Sequence, residues 1–362
     1  MSIKEKVIQE AVARYDRERD RYIKLAGRVA DLCRSAVVEE NAIRAQVTSR
    51  TKTVRSFEGK LRRFARRPEK DFPTVDDVFA SIGDFAGVRI ATYRPEDESR
   101  VAELMTALFC GPDGGSIDVD PKDKLKPAAG QFYRATHCQV HLPESELLGN
   151  YENLRGASCE VQICSMMAHV WNEIEHDIGY KPEGEGPSEA ELGLLESLGH
   201  LTRAGDATIT RLLAANIARM TEQTGDFTDI HDFVARLRPY FPEADLSVNA
   251  GIAFDEAEAL GLHSIDRIRA ELGEAALTPD VAQERIAAFN AYLGQEGQSE
   301  LMLNPASADL FTIAMLDAHE DTIAASHSGG RGKGRPPRIY YLARAYQAFK
   351  QGKSAANDAE AA

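Results

Sequence analysis

The sequence predicts an α+β fold, a mixed β-sheet flanked by helices, followed by a mainly α-helical C-terminal region. Three observations predict it. The stretches "GVRIATY" (87–93), "ATHCQVHLP" (135–143) and "SCEVQIC" (158–164) are short, alternating and rich in β-branched residues, the signature of half-buried strands. Apolar residues at helical spacing precede the first stretch, separate it from the second and follow the third. Between 189 and 295, helical stripes then predominate in "ELGLLESLGHLTRA", "ITRLLAANIARM" and "SIDRIRAEL".

Taken in order, residues 3–36 form a long amphipathic helix, with Val7, Ala11, Tyr15, Tyr22, Leu25, Val29 and Leu32 near helical spacing. The run "SRTKTVRSFEGKLRRFARRPEK" (49–70) follows, with nine Lys or Arg against two acids. Ser56, Phe57, Leu61 and Phe64 make it largely helical, so its basic residues form a face. The segment 98–109 is helical, and Gly111 to Gly130 is a loop long enough to carry function. After the third strand, Met166, Met167, Val170, Trp171, Ile174 and Ile178 define a helix that packs one face on the sheet. "PEGEGPSE" (182–189) marks a boundary, which divides the chain into 1–185, a helical region 186–350 and a disordered tail 351–362. Within the second part, "SHSGGRGKGRPPR" (326–338) is a Gly-rich basic loop that leads into the helix "IYYLARAYQAFK".

The 362 residues suffice for two domains, and 43% apolar with 28% charged residues is an ordinary globular composition. No apolar run is long enough to span a membrane and the N-terminus lacks a secretory pattern, which places the protein in the cytoplasm. Cys33, Cys110, Cys138, Cys159 and Cys164 fit no close CxxC pair and are expected as reduced, mostly buried thiols rather than a zinc site. Net charge is −14, yet residues 1–70 hold 19 basic residues against 10 acidic ones. Coating a long nucleic acid favours an overall basic protein, whereas a concentrated patch on an acidic body suits a compact polyanion such as a nucleotide.

Two carboxylates join that patch. Asp84 stands just before a strand in "DFAGVRI", and Glu160 lies inside the strand "CEVQI". An acid in an otherwise apolar strand is costly unless it is paired or binds metal, and two acids brought together by a sheet suit Mg²⁺. Singly, Asp84 also reads as a turn or capping residue and Glu160 as an edge-strand acid facing solvent.

In their order along the chain, the motifs over roughly 45–182 resemble the synthetase domain of the RelA/SpoT family, the enzymes that make the alarmones (p)ppGpp. Arg50, Lys52, Ser56 and Lys60 match its Arg-x-Lys-Ser-x-x-Ser-Ile-x-x-Lys segment, with Thr53 in place of the first serine. Asp84, Gly87 and Arg89 match Asp-Ile-x-Gly-x-Arg-Ile; Tyr133, Arg134 and His137 match Tyr-Arg-Ser-x-His. "CEVQI" and "WNEIEHDIGYK" match the closing Glu-x-Gln-Ile block and the Trp-x-x-x-Glu-His-x-x-x-Tyr-Lys helix. The resemblance implies a nucleotidyltransferase-like synthetase domain that transfers pyrophosphate from ATP to the ribose 3′-hydroxyl of GDP or GTP, the chemistry of the stringent response. It implies that Arg50, Lys52, Ser56, Lys60, Arg62 and Arg89 bind ATP phosphates, where positioned cations and Mg²⁺ supply most of the rate enhancement. By the same carry-over Asp84 holds Mg²⁺ and Glu160 ligates metal or accepts the 3′-hydroxyl proton. Tyr133 stacks on the acceptor guanine, with Arg134, His137 and Gln162 beside it.

Departures from the family pattern keep other readings in play. Gln131 and Phe132 replace a usual Asn-Gly, and Cys164 and Ser165 replace Arg-Thr after Ile163, which removes a cation and alters the acceptor pocket. His169, Glu173 and His176 share a helical face, but not as HExxH, and the resemblance makes them the polar side of a packed helix. About 45 residues precede the synthetase segment, too few for the His-Asp hydrolase domain of longer relatives, so no hydrolase is expected. One alternative is a toxic relative of the toxin–antitoxin kind that pyrophosphorylates tRNA 3′ ends or adenine nucleotides, with Arg331, Lys333, Arg335 and Arg338 on RNA. Another is a degenerate nucleotide sensor. For residues 190–362 a homo-oligomer module, a regulatory partner site and a neutralising domain all remain open.

Overall fold

The structure, a computed structural model, describes residues 4–66, 72–123, 132–179, 187–327 and 336–360. The chain divides into two compact units, residues 1–38 with 43–212, and residues 39–42 with 213–362.

The first unit is built on five strands, β1 (Ala45–Thr51), β2 (Ala86–Thr92), β3 (Asp118–Asp123), β4 (Arg134–Val140) and β5 (Cys159–Ser165), in the order β1-β2-β5-β4-β3. β2 and β5 run parallel at the centre and every other pairing is antiparallel, so the sheet is mixed. Alternation gives it two unlike faces. Val88, Ile90, Cys138, Val140, Val161 and Ile163 are buried on one side, under α1 (Glu5–Arg34) and α4 (Asp97–Leu108). The opposite side carries Arg50, Gly87, Arg89, His137, Glu160 and Gln162, aligned across β1, β2, β5 and β4 by the register Arg50↔Gly87↔Glu160 and Arg89↔Gln162↔His137.

The three expected strands and the helices α1 and α4 fall where the sequence places them; two edge strands do not. β1 takes the first residues of the basic run, so helix α2 (Val54–Phe64) begins only after it, capped by the Thr53 side chain, which accepts from the Ser56 amide at 3.1 Å. β3, "DVDPKD", lies inside the stretch expected as a loop. Charge and proline mark sheet edges rather than centres, which hides such strands from an alternation test. Helix α3 (Val75–Ser81) starts with a capping box between Thr74 and Asp77.

Helix α5 (Met166–Gly179) follows β5 directly. Its expected apolar face is corrected: Val170 and Ile174 are exposed, while Ala168 and Trp171 are buried and the Trp171 indole donates to the Leu195 carbonyl. The inward side is polar because it borders a cleft.

α6 (Glu189–Thr221) is one continuous helix, so the compact units divide after Leu212 and not at the breaker-rich 182–189. The second unit adds α7 (Ile230–Leu237), α8 (Ala250–Ala259), α9 (Ile265–Leu272), α10 (Pro279–Gln295), α11 (Asp309–Ser326) and α12 (Arg338–Glu360), and is mainly helical as expected. Phe233, Phe241, Phe289, Phe311 and Leu342 centre its own core. α12 continues to Glu360, into the segment expected as a disordered tail. The Gly-rich stretch with Arg331, Lys333 and Arg335 lies outside the described residues. No helix among the described residues is long and apolar enough to cross a membrane.

Candidate active site

The polar face of the sheet opens into a cleft closed on one side by α2 and on another by α5. At the α2 end, Lys52 continues β1: its amide donates to the Phe85 carbonyl at 3.1 Å, and its carbonyl accepts the Tyr15 hydroxyl at 2.6 Å. Tyr15 belongs to an aromatic cluster with Phe57 and Phe85, ring centroids 5.0 to 5.2 Å apart, which fixes β1, α2 and the turn before β2 against one another. From this base the Lys52 ammonium reaches Asp84 Oδ2 at 2.8 Å and the Lys60 ammonium reaches Oδ1 at 2.9 Å. Ser56 and Lys60 are one helical turn apart on α2 and both line the cleft. Burial opposes ionisation of Asp84, but the two ammoniums outweigh it and hold the carboxyl below its usual range. Burial likewise lowers the pKa of Lys52, whose side chain is 8% exposed, against the attraction of Asp84.

Glu160 occupies the centre. Its Oε1 lies 3.1 Å from His137 Nδ1 and its Oε2 accepts from Gln162 Nε2 at 2.7 Å. His137 Nε2 is 2.7 Å from the Tyr133 hydroxyl. With Nδ1–H donated to the carboxylate, Nε2 accepts the phenol, and Tyr133, His137 and Glu160 form one chain of hydrogen bonds. Burial raises the Glu160 pKa, but the His137 contact, helped by Gln162, brings it below the ordinary value. The Tyr133 phenol is pushed up to about 12 by burial and the Glu160 charge.

The α5 end is lined by Tyr133, Arg89, Cys164, His169, Asn172 and Glu173. Arg89 forms an ion pair with Glu173. Cys164 packs with Ala135 and Ala168 beneath Tyr133, and burial pushes its thiol up to about 12, so an apolar, uncharged shelf stands where the family pattern has a cation. Gly87 leaves room at mid-cleft: a Cβ there would come within 3.3 Å of Arg50 Cγ.

Of the residues singled out from sequence, Arg50, Lys52, Ser56, Lys60, Asp84, Arg89, Tyr133, Glu160 and Gln162 line this cleft, and His137 adjoins it through Glu160 and Tyr133. Two lie elsewhere. Arg62 is on the exposed side of α2, paired with Glu58 and Glu5, and Arg134 pairs with Glu98 and lines a second hollow with Arg203 and Asp206. Asn172, Glu173 and Glu175 were not assigned to the site; the polar stripe of α5 was the available signal.

No group of three or more metal-type ligands occurs among the described residues, including His169, Glu173 and His176. Asp84 and Glu160 nonetheless fit Mg²⁺, which takes one or two protein carboxylates and completes its shell with water and substrate phosphates. Both line the cleft and feel each other's charge.

Every one of these cleft residues falls within 49–185, which matches the family model described as "Region found in RelA / SpoT proteins". The segment matches that RelA/SpoT region. The chain is also 30% identical over 148 residues to GTP pyrophosphokinase YjbM of Bacillus subtilis (strain 168), a match covering 41% of this chain and 62% of that relative. Among solved structures, the small alarmone synthetase 1 of Bacillus subtilis is 24% identical, with a TM-score of 0.42 over 56% of this chain and 97% of that one. The same enzyme bound to its product pppGpp is 22% identical over the same shares, also at a TM-score of 0.42. The matched region thus contains the whole cleft and stops before α6 begins.

Proposed function

We propose that the RelA/SpoT region is a cytoplasmic (p)ppGpp synthetase that transfers pyrophosphate from ATP to the 3′-hydroxyl of GDP or GTP. One observation carries the reading: a carboxylate clamped by two lysines and a carboxylate hydrogen-bonded to a histidine–tyrosine pair share one cleft within a region similar to a GTP pyrophosphokinase. The acceptor 3′-oxygen attacks the β-phosphorus of ATP, and the bond from that phosphorus to the α,β-bridging oxygen breaks. AMP leaves with the bridging oxygen and the acceptor gains the pyrophosphoryl group.

Negative charge grows on oxygens that are already anionic, so fixed cations lower the barrier most. Lys52 and Lys60 bind the donor phosphates, with Arg50 beside them in the cleft lining. Asp84 and Glu160 would hold Mg²⁺, which would supply neutralisation of phosphate charge. Glu160 receives the 3′-hydroxyl as a hydrogen-bond donor and takes its proton as the bond to phosphorus forms; its lowered pKa makes it a weak base, so orientation is its larger contribution. Tyr133 offers a ring face to the acceptor base, held by its hydroxyl to His137.

Cys164 in place of a cation favours a second reading, a changed acceptor, either an adenine nucleotide or the 3′ end of tRNA. Transfer of label from β,γ-labelled ATP with Mg²⁺ tests both. Label on GDP or GTP, absent in Asp84→Ala, supports the alarmone reading. Label confined to tRNA, ADP or AMP replaces it with the second, and no transfer to any acceptor rejects both.

A further inference from the structure

The Tyr133 hydroxyl is held by His137, but its backbone is held by the residues on either side of it in sequence. Phe132 is 4% exposed, its ring centroid 6.0 Å from that of Trp171 and 5.0 Å from that of His200, edge to face. Arg134 donates to Glu98 at 2.7 Å, and its carbonyl accepts from Asn172 at 3.1 Å. His200 belongs to α6, which begins beyond the region that matches the family. Two further bonds fix α6 at this place: the Leu195 carbonyl accepts the Trp171 indole at 3.0 Å, and Asp206 accepts the Ser165 hydroxyl at 3.0 Å, at the end of β5. Between them lies Gly199. A Cβ there would collide with the Phe132 ring itself, whereas a Cβ at Gly205 would meet only the Met167 side chain, which can turn aside. The family motif has glycine where this chain has Phe132; here the glycine is on α6, and the ring fills the space it leaves.

We infer that Phe132 and Gly199 are positioning residues for the acceptor: their interlock makes α6 the rear support that sets the Tyr133 ring, and through it the affinity for the acceptor base. The inference rests on the reading of the cleft as a pyrophosphate-transfer site with Tyr133 at its acceptor end. Close-packed surfaces lose contact energy steeply when displaced, so a shift of the backbone at Phe132 weakens stacking at Tyr133. The donor end has a different support. Lys52 is fixed through its carbonyl by Tyr15, and Tyr15 packs with Phe57 and Phe85, so Lys52, Lys60 and Asp84 do not depend on α6.

Calorimetric titration of the full chain in Mg²⁺ with α,β-methylene-ATP, whose bridge cannot be cleaved, and then with GDP onto the saturated complex, requires no turnover. Gly199→Ala should weaken GDP binding about fivefold, a fraction of what a stacked base gains, and leave the ATP analogue unchanged. Emission from Trp171, the one tryptophan of the chain, should shift in the same variant. Phe132→Leu makes room for the added methyl, so the double variant should bind GDP more tightly than Gly199→Ala alone, a rescue that two independent losses would not give. Gly205→Ala, the same change on the same helix, should match wild type. If Gly199→Ala fails to fold, Phe132→Leu alone should weaken GDP selectively. In turnover, KM for the acceptor should rise with kcat little changed. Equal weakening of both ligands, or of neither, in a folded variant would overturn the inference and make α6 a cover only. Label transfer to an adenine nucleotide or tRNA, with the selective loss falling on that acceptor, would keep the positioning role and replace the guanine reading. A wild-type protein that binds neither nucleotide would remove the synthetase reading and the inference together.

Discussion

Asp84 is the residue on which the cleft turns. Each of its oxygens serves one lysine, and Lys52 is nearly buried, so Asp84→Asn leaves two ammoniums facing each other with no counter-charge. On the proposed function, transfer activity should fall by at least about 100-fold, since the proposed metal ligand and the organiser of the two lysines proposed to bind phosphate go together. Stability should fall on the order of 2 kcal/mol, less than for a fully buried pair because Asp84 and Lys60 are part-exposed. The pH dependence has a definite sign. Asp84 has a folded pKa below its usual 3.8, so its contribution is fully present above 3.8 and is lost as pH falls through the folded value. The unfolding free-energy gap between wild type and Asp84→Asn, measured by urea titration, should therefore hold from neutral pH down to about 4 and narrow below it. A gap that narrows between pH 7 and 5 would mean that other groups dominate. Site residues such as Asp84 and Glu160 were legible because a charged group at or inside an apolar strand violates the burial rule and demands a partner. Arg62 followed from the same basic run as Lys60 but sits two positions along a helix, on the far side, where Glu58 and Glu5 take it up.

At the scale of elements, alternation explains both the strands and their chemistry. β5 buries Val161 and Ile163 and turns Glu160 and Gln162 to the cleft, so the residues that stabilise the sheet are the ones that aim the site. Ile163→Ala should cost about 2–5 kcal/mol by chemical denaturation, and loosened register should lower activity even at temperatures where the protein stays folded. Thr53 stands where the family motif has a serine and acts as the N-cap of α2. Thr53→Ala should cost about 1 kcal/mol, while Thr53→Ser should be nearly neutral, because both hydroxyls accept from the Ser56 amide. Since α2 carries Ser56 and Lys60, the alanine variant should also raise KM for ATP. Central strands were readable because both neighbours are sheet and one face is core; β1 and β3 have one free edge and polar sequences. α5 misled for a related reason: Val170 and Ile174 share its apolar stripe, but the helix borders a charged cleft, so polar residues line its inner side.

For the whole molecule, the two units have separate hydrophobic cores, one around the sheet with Leu25, Phe57 and Ile90, the other around Phe233, Phe289 and Phe311. The second core was foreseeable as helical from its stripes, but nothing in those stripes states what the unit does, since a packed face encodes burial and not chemistry. Cooperativity follows contiguous burial, so two cores predict two calorimetric transitions rather than one. On the proposed function, nucleotide with Mg²⁺ should raise only the transition of the first unit, by mass action. Phe311→Ala, at a fully buried position of the second core, should cost about 3–5 kcal/mol and lower only the other. These two perturbations identify the transitions independently. A single transition moved by both would show that the units fold as one cooperative body, and damage to the helical unit would then reach the cleft through global stability rather than through any residue that lines it.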